Sequence, residues 1–437
     1  MRLRRHDSRK IRERGVAGIA FAAWHPMRIG ATQSEREGMK LALEPGECAW
    51  ATAPPPVVQA RPIASDLPPI MILADHIGYA GGVRHGVTTY LVHVLPLLAD
   101  AGVDLTVCFL RGPHAAGADL QAQGIRPVFL NAGKWDPTVA LRIAKLARRR
   151  GVRLLHATGV KGTLIARIAA RLTGARTLVH VHDLNDPGTA ISALQRLAAK
   201  STDAAVCVSQ AVCDLTVNRY HVRPERVHVA RNGIPLEALR RAGAGARSTV
   251  RAELGIESGR PVLAIIGRMH PVKGHRALLA MLPAIVRSCP RALLLVIGDG
   301  PERPGCEELT RSLGLSRHVR FLGRRGDVPR LLSGVDVVLM PSESEGLGLA
   351  AIEGLAAARP VIGFAVGGLP EVVVDGVNGR LVPPGDNDAF ADAVIETLRD
   401  PGLRFSYARG AASSAGRFGV ETHVQRLIDC YRMTLAP

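Results

Sequence analysis

The sequence predicts an α/β protein of two doubly wound domains facing a cleft, and three observations carry that prediction. From Ile70 onward, short runs rich in Val, Ile and Leu alternate with amphipathic stretches of helical length, the pattern of strands buried on both faces and separated by helices. At Pro235–Ser248 (PLEALRRAGAGARS) the alternation gives way to a small, basic, turn-prone stretch and then restarts. The 437 residues also exceed one ordinary core, since a domain takes roughly 150. In such sheets ligands bind beyond the carboxyl ends of the strands, so two of them face to face enclose a cleft.

Taken in order, residues 1–69 stand apart. A basic run from Arg2 to Arg14 leads into a stretch without periodicity that passes Pro54–Pro56 and Pro68–Pro69, the composition of a disordered tail. Val16–Trp24, a short apolar stretch behind basic residues, also has the order of a signal peptide, and Met27 and Met39 are alternative starts. Strands are expected at Ile70–Asp75, Val103–Phe109, Arg153–His156, Thr177–His182, Ala204–Ser209 and Arg226–Ala230. Between the first two, Val87, Tyr90, Leu91, Val94 and Leu98 share a helical face that Pro96 must bend or interrupt. The second series runs through Pro261–Gly267, Arg291–Gly298, Val319–Gly323, Val335–Pro341 and Pro360–Phe364. Domains are therefore expected at 70–245 and 246–416.

The net charge of +18 calls for an anionic partner. It is concentrated: residues 70–250 carry 23 basic and 11 acidic groups, residues 251–437 carry 22 and 20. Within the basic half, Pro137–Arg150 is an amphipathic helix candidate with Arg142, Lys145 and Arg149 on one face and Val139, Ile143 and Leu146 on another. This predicts peripheral contact with an anionic membrane. Aromatics at 4% argue against nucleic acid, whose binding uses base stacking. Seven scattered cysteines without a C-x-x-C pair read as reduced cytoplasmic thiols, and no apolar run has the length of a spanning helix.

Chemistry is expected just after strands. In Pro341–Gly354 (PSESEGLGLAAIEG), Glu345 and Glu353 lie eight residues apart, a little over two helical turns. The glycines admit a ligand to the backbone, and the amides of Gly348 and Leu349 at a helix start suit a diphosphate. The carboxylates then either accept from sugar and ribose hydroxyls or serve as a helix-dipole complement and a solvated helix residue. In Gly267–Gly274 (GRMHPVKG), Arg268 and Lys273 sit in one loop able to grip two phosphates, or they form a solvated basic loop. Tyr79–Gly86 (YAGGVRHG) is a glycine-rich turn without G-x-G-x-x-G, which disfavours a nicotinamide cofactor; the nucleoside triphosphatase loop is absent too. His182, at a strand's end two residues after His180, reads as a hydrogen-bond partner to substrate. No third residue with fitting spacing makes that pair a metal site.

In this order, Gly81–Gly82, His182–Asp183, Arg231–Ile234, GRMHPVKG, IGDGP, Glu345 with Glu353, and GGLPE resemble the GT-B fold glycosyltransferases of family 4, the retaining group 1 glycosyltransferases. The likeness runs from about Ile70 to the C-terminus. It implies two Rossmann-like domains, with residues 417–437 forming a helix that crosses back to the first. It implies a nucleotide-sugar donor, with Arg268 and Lys273 on the diphosphate, Glu353 on the ribose, and Glu345 with the amides of Gly348 and Leu349 on sugar and phosphate. Gly82 and His182 would face the transferred sugar from the first domain. Leu347 replaces a frequent phenylalanine and keeps the position apolar. The resemblance further implies a glycan, lipid-linked or small-molecule acceptor, a role in cell-surface polysaccharide or glycolipid synthesis, and no metal or other cofactor. A non-catalytic nucleotide-sugar binder and an epimerase or phosphorylase of the same architecture are the competing functions.

Overall fold

In the computed structural model, which describes residues 66–78, 86–133, 136–184 and 189–436, the two alternating series become two sheets. The N-terminal segment through residue 65, with Val16–Trp24, and the pair Gly81–Gly82 lie outside the described residues. The first sheet holds β1 (Ile70–Ala74), β2 (Leu105–Phe109), β3 (Val128–Phe129), β4 (Leu154–Thr158), β5 (Arg176–Val181), β6 (Ala204–Cys207) and β7 (Val227–Val229), ordered β3-β2-β1-β4-β5-β6-β7. The second holds β8 (Val262–Ile266), β9 (Leu293–Ile297), β10 (Val319–Gly323), β11 (Val337–Met340), β12 (Val361–Phe364) and β13 (Gly379–Val382), ordered β10-β9-β8-β11-β12-β13. Their pairings are parallel, and both sheets lie within one compact unit, Arg61–Pro437.

The period-2 alternation of a strand divides its side chains between two cores. On β1, Ile70, Ile72 and Ala74 enter the cluster on one face and Met71 and Leu73 the cluster on the other. On β8, Val262 and Ala264 part in the same way from Leu263 and Ile265. One cluster is shared between the domains: Cys207, Val208 and Val212 pack with Leu347, Leu369 and Phe418. Apolar burial therefore ties the second domain to the first.

Two features differ from the sequence expectation. The edge strands β3 and β13 are short, and neither was expected. Pro235–Ser248 does not remain a turn-prone linker but contributes to two helices, Leu236–Gly243 and Arg247–Glu253. Leu236, Leu239 and Val250 are buried there, and Arg247 and Arg251 donate to Asp336 at 2.6 and 2.8 Å. Of the two effects expected of Pro96, interruption does not occur: the proline lies inside a helix that runs from Gly86 to Asp100.

The chain crosses between domains twice at one place. Ile234 N donates to Phe418 O and Val420 N to Ile234 O, at 2.9 and 3.0 Å, and a Cβ on Gly233 would collide with the backbone of Gly419. Beyond the crossing, the C-terminal helix Val420–Leu435 lays Val420, Val424, Leu427, Ile428 and Tyr431 on the first domain's core, a stripe of helical period.

Asp336 fastens the inter-domain helices to the second sheet through both arginines and the amide of Val262, 2.8 Å away. Arg251 is buried, and a buried charge stripped of its counter-charge is costly. Asp336→Asn is expected to lose about 2–3 kcal/mol of stability, measured as a lower urea midpoint at unchanged slope.

Candidate active site

The loops after β8 and β11 meet because one residue between them has no side chain. Gly274 has φ +70, and a Cβ there would collide with the carbonyl of Pro341. Glu343 N donates to Val272 O at 2.9 Å and zips the two loops together. The result brings Lys273 to Glu345: Nζ donates to Oε1 at 2.6 Å, and Ser342 Oγ donates to the same oxygen at 2.8 Å. Glu345 is 6% exposed and the lysine side chain 31%, so the carboxylate is held inside while the ammonium reaches the cleft. The bond to Glu345 uses one of the lysine's three donors. Arg268 lies exposed in the same loop.

The helix Leu349–Ala356 starts immediately after Glu345–Gly348, capped by Gly348 at φ 95. Leu349 N belongs to the first turn, where amides lack intrahelical acceptors. Across the cleft stands the start of the helix Gly86–Asp100, where a Cβ on Gly86 would lie 3.6 Å from Leu349 Cδ1. Two helix N-termini, each with the partial positive charge of its dipole, thus lie close together, in contact through the Leu349 side chain. Glu353 sits on the second turn, partly buried, and burial pushes its carboxyl up to about 7.

His182 comes from the end of β5 in the first domain. A Cβ on Gly346 would collide with His182 O, so Glu345 and His182 lie on backbone segments in direct contact. The His182 ring lies 4.0 Å from that of His180 and 4.8 Å from that of Tyr90, centroid to centroid. The structure therefore gathers Lys273, Glu345, Gly348, Leu349 and His182 at the facing strand ends, with Arg268 and Glu353 on the flanking loop and helix. Gly82 lies outside the described residues.

The GGLPE segment braces this arrangement. Gly368 N donates to Glu345 O at 2.9 Å, and side chains at Gly367 or Gly368 would strike the backbone of Glu345 or Gly346. Glu371 accepts from Gln210 N and Arg231 Nε, each at 2.6 Å, and so clamps the two domains. Sequence reasoning missed Ser342, Tyr90 and His423. Ser342 stands three residues before Glu345, a local cue; the other two reach the site only through tertiary contacts. Among the described residues no group of three His, Cys, Asp or Glu is placed to hold a metal ion.

Two parallel-sheet domains with facing strand ends define the GT-B architecture. Similar solved structures include HepE of Anabaena in complex with UDP (24% identical, TM-score 0.72, covering 83% of this chain and 98% of that one). A glycosyltransferase from Rickettsia africae is 19% identical with a TM-score of 0.74, covering 85% and 99%. Family models match in both domains, Glycosyltransferase Family 4 over residues 84–238 and Glycosyl transferases group 1 over residues 260–400. The chain belongs to the group 1 glycosyltransferases. The D-inositol 3-phosphate glycosyltransferase of Saccharomonospora viridis is 34% identical over 265 residues, 58% of this chain and 61% of that protein. The protein of the same description from Salinispora tropica is 29% identical over 398 residues, 86% and 76%. The match thus spans less than two thirds of the first relative's length.

Glu353 gives a pH test. Its folded pKa, about 7, lies above the ordinary 4.5, so the native state holds the proton more tightly than the unfolded chain. The stability this gives is complete below about pH 4.5 and is lost as pH rises through 7. Glu353→Gln is expected to be more stable than wild type at pH 8, by up to about 2–3 kcal/mol, and indistinguishable at pH 4.5, read from urea midpoints.

Proposed function

We propose that this protein transfers a sugar from a nucleotide-diphosphate sugar to an acceptor hydroxyl with retention of anomeric configuration. The observation that carries the reading is the meeting of Lys273 with the buried Glu345 beside two helix N-termini. Cations and free amides converge there for a diphosphate, beside a carboxylate and an imidazole for sugar hydroxyls. In the reaction the bond from the anomeric carbon to the diphosphate breaks on the face where the acceptor oxygen bonds, and the acceptor's proton passes to the departing phosphate oxygen. Arg268, Lys273 and the amides of Gly348 and Leu349 stabilise the charge that builds there, a task that leaves no need for a metal or other cofactor. Glu353 holds the ribose, and Glu345 and His182 hold the transferred sugar.

For the acceptor we infer a small phosphorylated polyol. Relatives described as D-inositol 3-phosphate glycosyltransferases favour it. So do Arg111 and Lys161, whose charges act on Asp75 at the carboxyl end of β1. A second reading, a lipid-linked acceptor in cell-surface polysaccharide or glycolipid synthesis at the inner membrane face, is favoured by the helix Val139–Arg149. Its Val139 and Ile143 are consumed by the core, while Lys145, Arg149 and Leu141, 61% exposed, face outward. Arg142 is engaged by Asp136 at 3.2 Å. No helix among the described residues is long and apolar enough to cross a membrane, so this contact would be peripheral.

Uridine-, guanosine- and adenosine-diphosphate sugars are to be screened by thermal shift and donor hydrolysis. At least one should raise the melting temperature, and Lys273→Ala or Arg268→Ala should abolish the rise. Glu345→Ala should retain the fold and lose turnover about a hundredfold or more, the scale of removing one group that stabilises the transition state. Unchanged donor binding in the lysine and arginine variants removes the site assignment; unfolding of Glu345→Ala makes that residue structural.

Vesicles of phosphatidylglycerol in phosphatidylcholine separate the acceptor readings. Under the membrane reading they bind the protein, each basic residue contributing about 1 kcal/mol. Binding then weakens with salt and in the Lys145→Ala/Arg149→Ala double variant. Salt-insensitive or absent binding sinks it.

A further inference from the structure

Behind His182 lies a buried polar array that the reaction above does not use. His423 Nδ1 lies 2.8 Å from Arg231 O, and His423 Nε2 lies 3.0 Å from Tyr90 OH. Tyr90 OH lies 3.4 Å from His180 Nδ1, which is 3.2 Å from His156 Nε2. His156 Nδ1 ends the array, 2.7 Å from Tyr431 OH. The five ring-bearing residues, Tyr90, His156, His180, His423 and Tyr431, come from β4, β5, the helix Gly86–Asp100 and the C-terminal helix, and all five are buried.

One fixed point orders the protons. A carbonyl only accepts, so His423 carries its proton on Nδ1 and donates to Arg231 O. Burial holds His423 down to about 4 and His156 to about 3, so both rings are neutral at physiological pH. His423 Nε2 is then an acceptor, and Tyr90 OH donates to it. Tyr90's oxygen is left to accept from His180 Nδ1. Among the described residues His180 Nε2 has no hydrogen-bond partner; with the proton on Nδ1, a lone pair is orphaned there rather than an N–H, and buried orphan N–H groups are the rarer of the two. The same Nδ1–H of His180 is shared with His156 Nε2, the nearer of its two acceptors, and His156 Nδ1 donates to Tyr431.

Both rings of this array that touch His182 are thereby held from behind. Tyr90 is tethered through its hydroxyl to the C-terminal helix, and His180 to Tyr90 and His156. We propose that Tyr90 and His423 are positioning residues for His182: the C-terminal helix, through His423 and the Tyr90 hydroxyl, fixes the orientation of the imidazole at the cleft. This rests on the proposed role of His182 at the transferred sugar. The array begins at Arg231, whose guanidinium pairs with Glu371 of the second domain at 2.5 Å, so the strut is rooted where the domains are clamped.

The test uses the full chain labelled with 15N-histidine, its imidazole signals assigned by single His→Gln variants. His156, His180 and His423 are expected as neutral Nδ1–H tautomers across pH 6–8 (roughly one unit about neutrality). Tyr90→Phe, which keeps the ring and removes the hydroxyl, should shift the His182 signals. His423→Phe should shift them too, whereas His423→Gln, whose amide can both donate to Arg231 and accept from Tyr90, should restore them. UDP affinity, read by calorimetry, should stay within twofold of wild type in Tyr90→Phe. Unmoved His182 signals in a folded Tyr90→Phe, or loss of UDP binding with it, overturn the assignment. Should Tyr90→Phe fail to fold, the His423 pair decides: His182 signals alike in Gln and Phe variants overturn it, and signals restored only by Gln support it. Failure of the nucleotide-site reading appears separately, as UDP binding unchanged in Lys273→Ala.

Discussion

The cleft depends on backbone packed against backbone where the two sheets' strand ends meet. The segment Glu345–Gly348 sits on His182 and Asp183 from one side and on Gly367 and Gly368 from the other, and a Cβ at Gly346, Gly367 or Gly368 would overlap a carbonyl oxygen. A clash with the tip of a long side chain is relieved by rotating it, but a clash with a carbonyl in a hydrogen-bonded loop moves the loop. Glu345 is accordingly fixed at both ends. Its carbonyl accepts from Gly368 N and its carboxylate from Ser342 and Lys273. In the role proposed for it, a carboxylate so held would meet a sugar hydroxyl without further ordering, which is how positioning lowers a barrier.

The same contact explains why the inter-domain surface combines apolar and ionic parts. The shared cluster around Cys207, Val212, Leu347 and Leu369 supplies burial without direction. Glu371 supplies direction, accepting from an amide of the first domain and from Arg231 beside the crossing point. Charge-assisted bonds of this kind are short and angularly demanding, so they select one arrangement among those the apolar surface tolerates.

Much of this was legible in the sequence because strands buried on both faces leave unbroken apolar runs, and loops that bind anions need glycine beside cations. The expected strands from Ile70 to Phe364 all form, their ends moved by no more than two residues, and Lys273, Glu345 and His182 converge from three loops. The misses have physical causes. Val128–Phe129 is an edge strand of two residues, too short to carry a period, and Gly379–Val382 is an edge strand whose middle residues Arg380 and Leu381 are only half-buried, so it lacks the apolar run of the inner strands. The stretch after Pro235 looked like a linker because it is rich in Arg, Gly and Ala, yet Leu236 and Leu239, three apart, suffice for one buried helical face. The clamp made by Glu371 joins it to Arg231, 140 residues away, and Tyr90 meets His423 across 333 residues. No local pattern announces either pair.

The two carboxylates of the E-x7-E spacing show how environment separates like groups. Glu345 is buried with two donors on one oxygen, one of them cationic, and the desolvation of the pair is offset within the loop that holds it. For Glu353, burial is the one cause acting on the carboxyl, and it drives the group toward the protonated form. Under the proposed role, a ribose hydroxyl donating to Glu353 would favour the charged form and lower its pKa, and nucleotide binding would then be linked to proton release there. Lys273 faces the opposite trade. The proposed diphosphate would offer it more negative charge than one carboxylate, and a lysine on a flexible stem could then serve both partners in turn. On that reading the ion pair would be a resting partner for the cation, while Ser342 and the backbone of Gly368 keep Glu345 in place whichever way Lys273 turns.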